Sequence, residues 1–538
     1  MNSAEQFERI CRAMSEPSFY PHPASSIERR ETHISVVFLA GEWVYKLKKH
    51  KDLGFLDFRD PVRRLHYCMQ EWKLNKRLSF GVYQGVVGIH EDEAGALALG
   101  PVEGALEYAV KMTRLPDGVN FETLLRTGAV TQEHLTRLGE ILASFHDSAE
   151  RGDGIDAFGD PEHVRFNMEE NFAQILPFAH GFLNLRKWEF IRQVCRSFLN
   201  NHGELFMHRV REGRIRDGHG DLRAEHVYFH QGVQVIDCIE FNERFRYGDC
   251  ALDLAFLIMD LDRLGFDEVG RRLLWVYAAV SRDAEVYALM DFYAAYRAFV
   301  RLKVACFSLE HIEDRAAAAG EIRDYLDQAY RYAVSFGRPV LWVFCGLPAS
   351  GKSTLARRVA KALFMSHLAS DTVRKEDHDF PADGVVAYNT GAYRPVVRGR
   401  VYAKLLNLAQ EELRKGRSVV LDATFSSAQW RESAMLLAKD QNAGLIFVHC
   451  VCSPQTIKAR LANREASSGE SDARLIHFDD IIKNFEPFDD TADTYLAVST
   501  ERSEDDSLYA ALSQGCALRQ VQAQSLIKGL DATPHHGK

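Results

Sequence analysis

A chain of 538 residues exceeds what one hydrophobic core can organise, since single cores stop growing near roughly 250–300 residues. Its 66 basic and 75 acidic residues leave a formal net charge of −9, which excludes a global attraction for nucleic acid or anionic membrane and confines any such contact to a local patch. With 46% hydrophobic and 26% charged residues the composition is that of a folded globular protein, and no apolar run reaches the roughly 20 residues that span a bilayer. The N-terminus, Met1-Asn-Ser-Ala-Glu-Gln, lacks the basic-then-apolar order of a secretory signal, so a cytoplasmic address with no membrane partner is expected. The 10 cysteines are scattered, and the closest pair, Cys450 and Cys452, lacks the spacing of a redox or zinc motif; reduced, buried thiols are expected.

In chain order, Ile34-Ser-Val-Val-Phe-Leu, the turn Ala40-Gly41-Glu42 and Trp43-Val-Tyr-Lys-Leu-Lys48 predict a β-hairpin. A charge-rich helix is expected over Arg63 to Leu78, then strands near Val82 to Ile89 and Tyr108 to Thr113. From Phe121 to Tyr332 the periodicity is helical, as in Leu135, Leu138, Ile141, Leu142 and Phe145, with one β-rich interruption from Gly218 to Phe245. The expected domain boundary is Tyr332 to Pro339, where a helical pattern gives way to Ser335, Gly337 and Pro339. Beyond it, short apolar strands at Val340 to Cys345, Val419 to Leu421 and Leu445 to Val451 alternate with amphipathic segments, the pattern of a parallel sheet covered by helices. From about Thr500 onward the periodicity is weak.

The chemistry is concentrated in Gly346-Leu-Pro-Ala-Ser-Gly-Lys-Ser353, which sits between an apolar strand and the helical stretch Thr354 to Phe364. Such a turn presents backbone N–H groups at a helix N-terminus to the oxygens of a nucleoside triphosphate. Gly346, Ser350, Gly351, Lys352, Ser353 and Thr354 are therefore the candidate nucleotide contacts, with Lys352 on the β and γ phosphates and Ser353 on Mg²⁺. Asp422 ends the strand Val419-Val-Leu-Asp422, where a carboxylate can hold Mg²⁺ or its water; a turn or cap is the competing reading. In Ser370-Asp371-Thr-Val-Arg374-Lys375, Asp371 is placed to accept the proton of an attacking hydroxyl and Arg374 to hold an anionic acceptor, although a helix N-cap and a solvated arginine fit the same residues. Arg460 and Arg464, four apart on an expected helix, share one face and can offset charge on a transferring phosphoryl group, or simply face solvent.

Residues from about 338 to 490 resemble the P-loop kinases related to zeta toxins and polynucleotide 5′-kinases, which phosphorylate a hydroxyl. The resemblance implies that Lys352 and Ser353 are nucleotide and Mg²⁺ ligands, Asp371 the general base, Arg374 the acceptor-phosphate arginine, and Arg460 and Arg464 the lid. Acceptor specificity would lie in Asp377 to Arg400, and Arg398 and Arg431 are either acceptor contacts or ordinary surface arginines.

The β interruption carries Asp217-Gly-His219-Gly-Asp221-Leu-Arg-Ala-Glu-His226 and Val235-Ile-Asp237-Cys-Ile-Glu240. Two aspartates at the ends of short β elements suit metal-assisted phosphoryl transfer, Asp221 near the acceptor hydroxyl and Asp237 on Mg²⁺, although each alone also reads as a turn residue. The segment resembles the His-Gly-Asp catalytic loop of the aminoglycoside phosphotransferases and, through them, the protein-kinase-like fold, over residues of roughly 30 to 330. That resemblance implies Lys46 as the ATP-phosphate lysine, Glu71 as its partner, Lys48 as the alternate, and Asp253 as a brace for the loop. Two features depart from it: no glycine-rich loop precedes Lys46, and His226 stands where the family has a metal-binding asparagine. Imidazole is a poorer ligand than an amide oxygen for hard Mg²⁺. His146 is expected to pack or cap a helix.

The expected architecture is an α+β bilobal kinase-like domain over 1–334, with a small β-rich lobe to about 115 and a helical lobe beyond it. An α/β P-loop domain over 335–500 and an extension over 501–538 follow. The pairing resembles a group of bacterial fusion proteins. The expected cofactors are ATP (or GTP) and Mg²⁺. The expected partners are a nucleotide and a hydroxyl-bearing acceptor, with a nucleic-acid end, a nucleotide sugar and a small metabolite as candidates; a nucleotide-operated switch with a pseudokinase N-terminal domain is the alternative.

Overall fold

The computed structural model describes residues 3–54, 56–178, 183–309, 315–375, 395–465, 482–488 and 493–532. The chain divides into two compact units, Met1–Val164 with Phe206–Ser281, and Arg165–Leu205 with Arg282–Lys538.

The first unit contains an antiparallel sheet of β1 (Ile27–Glu31), β2 (Ser35–Ala40), β3 (Trp43–Lys48), β4 (Tyr83–Glu91), β5 (Leu97–Gly100) and β6 (Glu107–Thr113), in the order β1-β2-β3-β6-β4-β5. The expected hairpin joins β2 to β3, and Gly41 at φ +60° turns it where a Cβ would lie 2.7 Å from the Pro23 carbonyl oxygen. Alternation along β3 sends Tyr45 and Leu47 into a core with Phe7, Ile10 and Met14, and turns Lys46 and Lys48 to the other face. Glu71 comes from the helix Pro61–Asn75, which starts at an Asp60 cap followed by proline. The helix Ser3–Met14 and the strands β1 and β5 were absent from the sequence expectation. In β1, Ile-Glu-Arg-Arg-Glu is solvent-facing at four of its five positions, so no alternation marks it.

This unit also holds an antiparallel pair of distant strands, β7 (Ile215–Asp217) with β10 (Tyr247–Asp249), and between them in sequence a short hairpin, β8 (Val227–Phe229) with β9 (Val233–Val235). They hold the His-Gly-Asp loop after β7 and Asp237 just after β9.

The second unit contains a five-stranded parallel sheet of β11 (Val340–Cys345), β12 (Ser366–Ala369), β13 (Val419–Asp422), β14 (Gly444–Val451) and β15 (Tyr495–Ser499), in the order β12-β13-β11-β14-β15. Every residue of β11 is buried, as expected for a strand covered on both faces. Because the strands are parallel, their C-terminal ends, and the loops that follow, meet along one edge.

The weakly periodic C-terminal stretch forms a helix, Glu504–Ala532. Its pattern is blurred because it makes contacts on more than one side. Asp291, on the helix Val286–Ser308, accepts hydrogen bonds from Arg519 (2.7 Å), Gln520 (2.8 Å) and Ser335 (2.7 Å), while Gln522 bonds the backbone of Leu445 in β14. Gly515 lies against Trp342 of β11, where a Cβ would fall 2.0 Å from the indole ring. Gly515→Ala is expected to destabilise the protein by about 1–3 kcal/mol through overpacking, read by denaturant unfolding followed on tryptophan emission. Gly529→Ala in the same helix, where a Cβ meets nothing within 4 Å, is expected to leave stability unchanged or slightly raised.

Candidate functional site

The loop after β11 has the conformation a phosphate requires. Gly346 (φ +137°), Ala349 (φ +61°) and Gly351 (φ +87°) curl the backbone, and the helix Lys352–Ala362 starts at Gly351 with no side chain capping it. Its first N–H groups therefore have no partner within the helix. Ser350 is buried, and its hydroxyl finds no hydrogen-bond partner among the described residues. Lys352 and Ser353 are half-buried and Thr354 is exposed.

The neighbouring strand supplies the carboxylate. β13 pairs with β11 in a register that puts Asp422 opposite Phe344, and Ser353 Oγ donates to Asp422 Oδ1 at 3.1 Å. Burial pushes Asp422 up, but His367 at 3.4 Å, together with Lys352 and Ser353, outweighs it and holds the carboxyl below its usual range. A hydroxyl beside an ionised carboxylate, at the start of a helix whose first N–H groups have no partner within it and close to the unpartnered Ser350 hydroxyl, fits a Mg²⁺-nucleotide.

Asp371 lies at the same sheet edge. It is the second residue beyond β12, whose Ala369 pairs with Asp422, and its half-exposed carboxylate is 3.4 Å from the Arg374 guanidinium. Arg460 bonds the carbonyl oxygens of Thr500 (2.7 Å) and Ala349 (3.3 Å), and Thr500 Oγ1 donates to Ser350 O at 2.5 Å, so Arg460 holds the loop from outside. Arg464 is on the same helix, Pro454–Glu465, with its side chain outside the described residues, as is the part of the expected acceptor segment from 377 to 394. Arg431 is not a surface arginine. It is buried over the Phe488 ring and donates to Phe425 O and Pro487 O, which makes it a packing group; Arg398 is half-buried on the helix Pro395–Arg414.

In the first unit, Lys46 Nζ lies 2.8 Å from Glu71 Oε1 and donates to Asp237 Oδ1 at 2.5 Å. Lys48 Nζ donates to Glu71 Oε2 at 2.8 Å and to Glu240. Desolvation lowers Lys46, but Asp237, Glu71 and Glu240 outweigh it and raise it well above the ordinary lysine value. Desolvation likewise pushes Asp237 up, and Lys46, then His226, hold it far below the usual carboxylate range. Asp237 takes φ +64°, and its N–H donates to Tyr83 Oη. No glycine-rich loop precedes Lys46: β1 and β2 are joined by a tight turn in which Ser35 N donates to Thr32 Oγ1 at 3.0 Å.

Asp221 is gripped by its own loop, with Arg223 donating to both carboxylate oxygens at 3.0 Å. His226 Nδ1 donates to Asp221 O at 2.9 Å, and its Nε2 lies 3.3 Å from Arg223 and 3.6 Å from Asp237. Asp253 braces the loop as the family resemblance implied, accepting from the backbone N–H of His219 and of Gly220 (2.5 and 2.8 Å). His146 packs, bonded to Tyr277 Oη at 2.8 Å. Sequence reasoning missed Arg223, Glu240 and Thr500. The charged residues offered only proximity to Asp221 and Asp237 as a signal, and Thr500 offered none.

Two family models match the chain: the phosphotransferase enzyme family over residues 91–293 and an AAA domain over residues 341–488. Uncharacterized proteins of Mycobacterium tuberculosis (Rv2004c) and Mycobacterium bovis (Mb2027c) are each 33% identical over 463 residues, 84% of this chain and 90% of theirs. The chain belongs to their family. It is a kinase, a fusion of an aminoglycoside-phosphotransferase-like domain with a P-loop kinase domain. Among solved structures, it is similar to a choline/ethanolamine kinase family protein from Mesorhizobium loti (15% identical, TM-score 0.37, covering 61% of this chain and 98% of that one). It is also similar to a gluconokinase from Sinorhizobium meliloti (17%, TM-score 0.25, 36% and 97%). Among the described residues no helix of this kinase is long and apolar enough to cross a membrane.

The His-Gly-Asp loop carries a pH signature. Burial pushes His219 down to about 4 from 6.5, against the pull of Asp253, so the folded protein keeps it neutral while the unfolded chain takes up a proton first. Stability is therefore lost as pH falls from about 6.5 toward about 4. His219→Asn is expected to flatten that part of the acid limb, measured as unfolding free energy at several pH values.

Proposed function

We propose that the C-terminal site moves the γ-phosphoryl group of ATP (or GTP) to a hydroxyl acceptor, with a nucleic-acid 5′ end, a nucleotide sugar and a small metabolite as the candidate classes. The observation that carries this reading is the Ser353–Asp422 contact at the mouth of the loop, with Asp371 two residues beyond the strand whose last residue pairs with Asp422. A bound Mg²⁺-nucleotide supplies the transferable phosphoryl group and the divalent charge that screens its oxygens. Lys352 would neutralise the phosphates, Ser353 and Asp422 would hold the metal, and the first N–H groups of the helix Lys352–Ala362 would fix the donor. Asp371 takes the proton from the attacking hydroxyl, Arg374 binds an anionic acceptor, Arg460 acts through the loop it holds, and Arg464 covers the phosphates.

The N-terminal domain carries the second proposed centre, with Lys46 and Glu71 on the phosphate side, Asp237 and His226 on the metal side, and Asp221 as base. A second reading, a nucleotide-operated switch with a pseudokinase N-terminal domain, is favoured at this centre by the grip of Arg223 on both oxygens of Asp221.

The test follows labelled γ-phosphate with oligonucleotide, nucleotide-sugar and aminoglycoside acceptors. Lys352→Ala is expected to remove nearly all turnover at the C-terminal site. Asp371→Ala is expected to keep nucleotide binding and slow transfer by about 10²–10⁴-fold, and transfer at the parental rate would refute the base assignment. Asp221→Ala is expected to remove whatever transfer survives Lys352→Ala. Release of label only as inorganic phosphate would favour the switch.

A further inference from the structure

We propose that Lys48 and Glu240 are positioning residues of the N-terminal nucleotide site, holding Glu71 in place so that Lys46 is free to exchange between Asp237 and a phosphate. The proposal rests on the reading of that centre as a nucleotide site.

Five charged groups form a ladder in the order Asp237, Lys46, Glu71, Lys48, Glu240. The two lysines stand two apart on β3 and so face the same way, yet they differ in access to ligand. The Lys46 side chain is 12% exposed and its partner Asp237 is 43% exposed, whereas Lys48 is 1% and Glu71 0% exposed. Lys48 is thus closed off from solvent and from a ligand that arrives through it.

The hydrogen bonds divide in the same way. The aligned hydrogen bond of Lys46 goes to Asp237, and its 2.8 Å approach to Glu71 Oε1 is an ion pair outside hydrogen-bonding geometry. Glu71 takes its aligned hydrogen bond from Lys48, which Glu240 holds from the other side and the Phe58 ring faces at 5.1 Å.

A fully buried carboxylate with no cation gives up its charge or its place. When Lys46 turns toward a phosphate, Glu71 loses part of its compensation, and among the described residues Lys48 is the cation that still pairs with it. Lys46 then moves between two anions without disturbing the helix that carries Glu71.

The experiment uses full-length protein carrying Lys352→Ala, so that the P-loop site is weakened, and titrates a fluorescent non-hydrolysable ATP analogue with Mg²⁺, displaced by ATP or by adenosine. Lys48→Met is expected to weaken the analogue and ATP by about tenfold or more, in the range for removing a group that orients a ligand-contacting residue, and to leave adenosine unchanged, because Glu71 and Lys46 act on phosphate alone. Lys48→Met/Glu240→Met, which replaces the ion pair by apolar groups, is the second variant and is expected to show the same split. Parental ATP affinity in a folded variant, an equal loss for ATP and adenosine, or failure of both variants to fold would each overturn the proposal. Lys46→Met separates the two levels of the argument. If it weakens ATP while the Lys48 variants do not, only the positioning role falls; if the Lys352→Ala protein binds no analogue, the nucleotide reading of the centre falls with it.

Discussion

A buried carboxylate must be paired or surrender its charge, and that constraint organises both phosphate centres of this kinase. In the P-loop unit, Asp422 stays ionised because Ser353, Lys352 and His367 surround it. In the other unit, the buried Glu71 lies between Lys46 and Lys48, the buried Glu240 pairs with Lys48, and Asp253 is satisfied by the backbone of the loop it braces.

The two centres meet the constraint in different ways. At the C-terminal site the pairings leave two kinds of donor unspent, the first N–H groups of the helix Lys352–Ala362 and the Ser350 hydroxyl, while the half-exposed Asp371 carboxylate is held by Arg374 alone of the described residues. At the N-terminal site the cations and anions are spent on each other, Lys46 on Asp237 and Arg223 on Asp221. On the proposed reading, a Mg²⁺-nucleotide would have to exchange partners with groups already paired, since its phosphates would compete for Lys46 and its metal for Asp237. One site is open by construction and the other is self-neutralised.

What the sequence made legible was local. The run from Val340 to Ser353 encodes strand, turn and helix within one stretch of chain, and the alternation of Trp43 to Lys48 marks both the strand and its charged face. Asp253 and Lys46 were found through the resemblance that His219-Gly-Asp221 carries. The rest depends on contacts between residues far apart in the chain. Arg431 reads as a surface cation until Phe425, Pro487 and Phe488 are seen around it, and Arg460 reads as a lid until the Ala349 and Thr500 carbonyls are seen to accept from it. The helix Glu504–Ala532 escaped because its apolar residues serve more than one neighbour, which erases the one-sided pattern that announces a surface helix.

The central claim is that one chain carries two nucleotide sites, and binding stoichiometry tests it most directly. Calorimetric titration of the full-length protein with a Mg²⁺-bound non-hydrolysable ATP analogue is predicted to give two sites per chain. Lys352→Ala and Lys46→Met are each predicted to remove a different one. A single site in the parent protein, abolished by Lys352→Ala and untouched by Lys46→Met, would contradict the account.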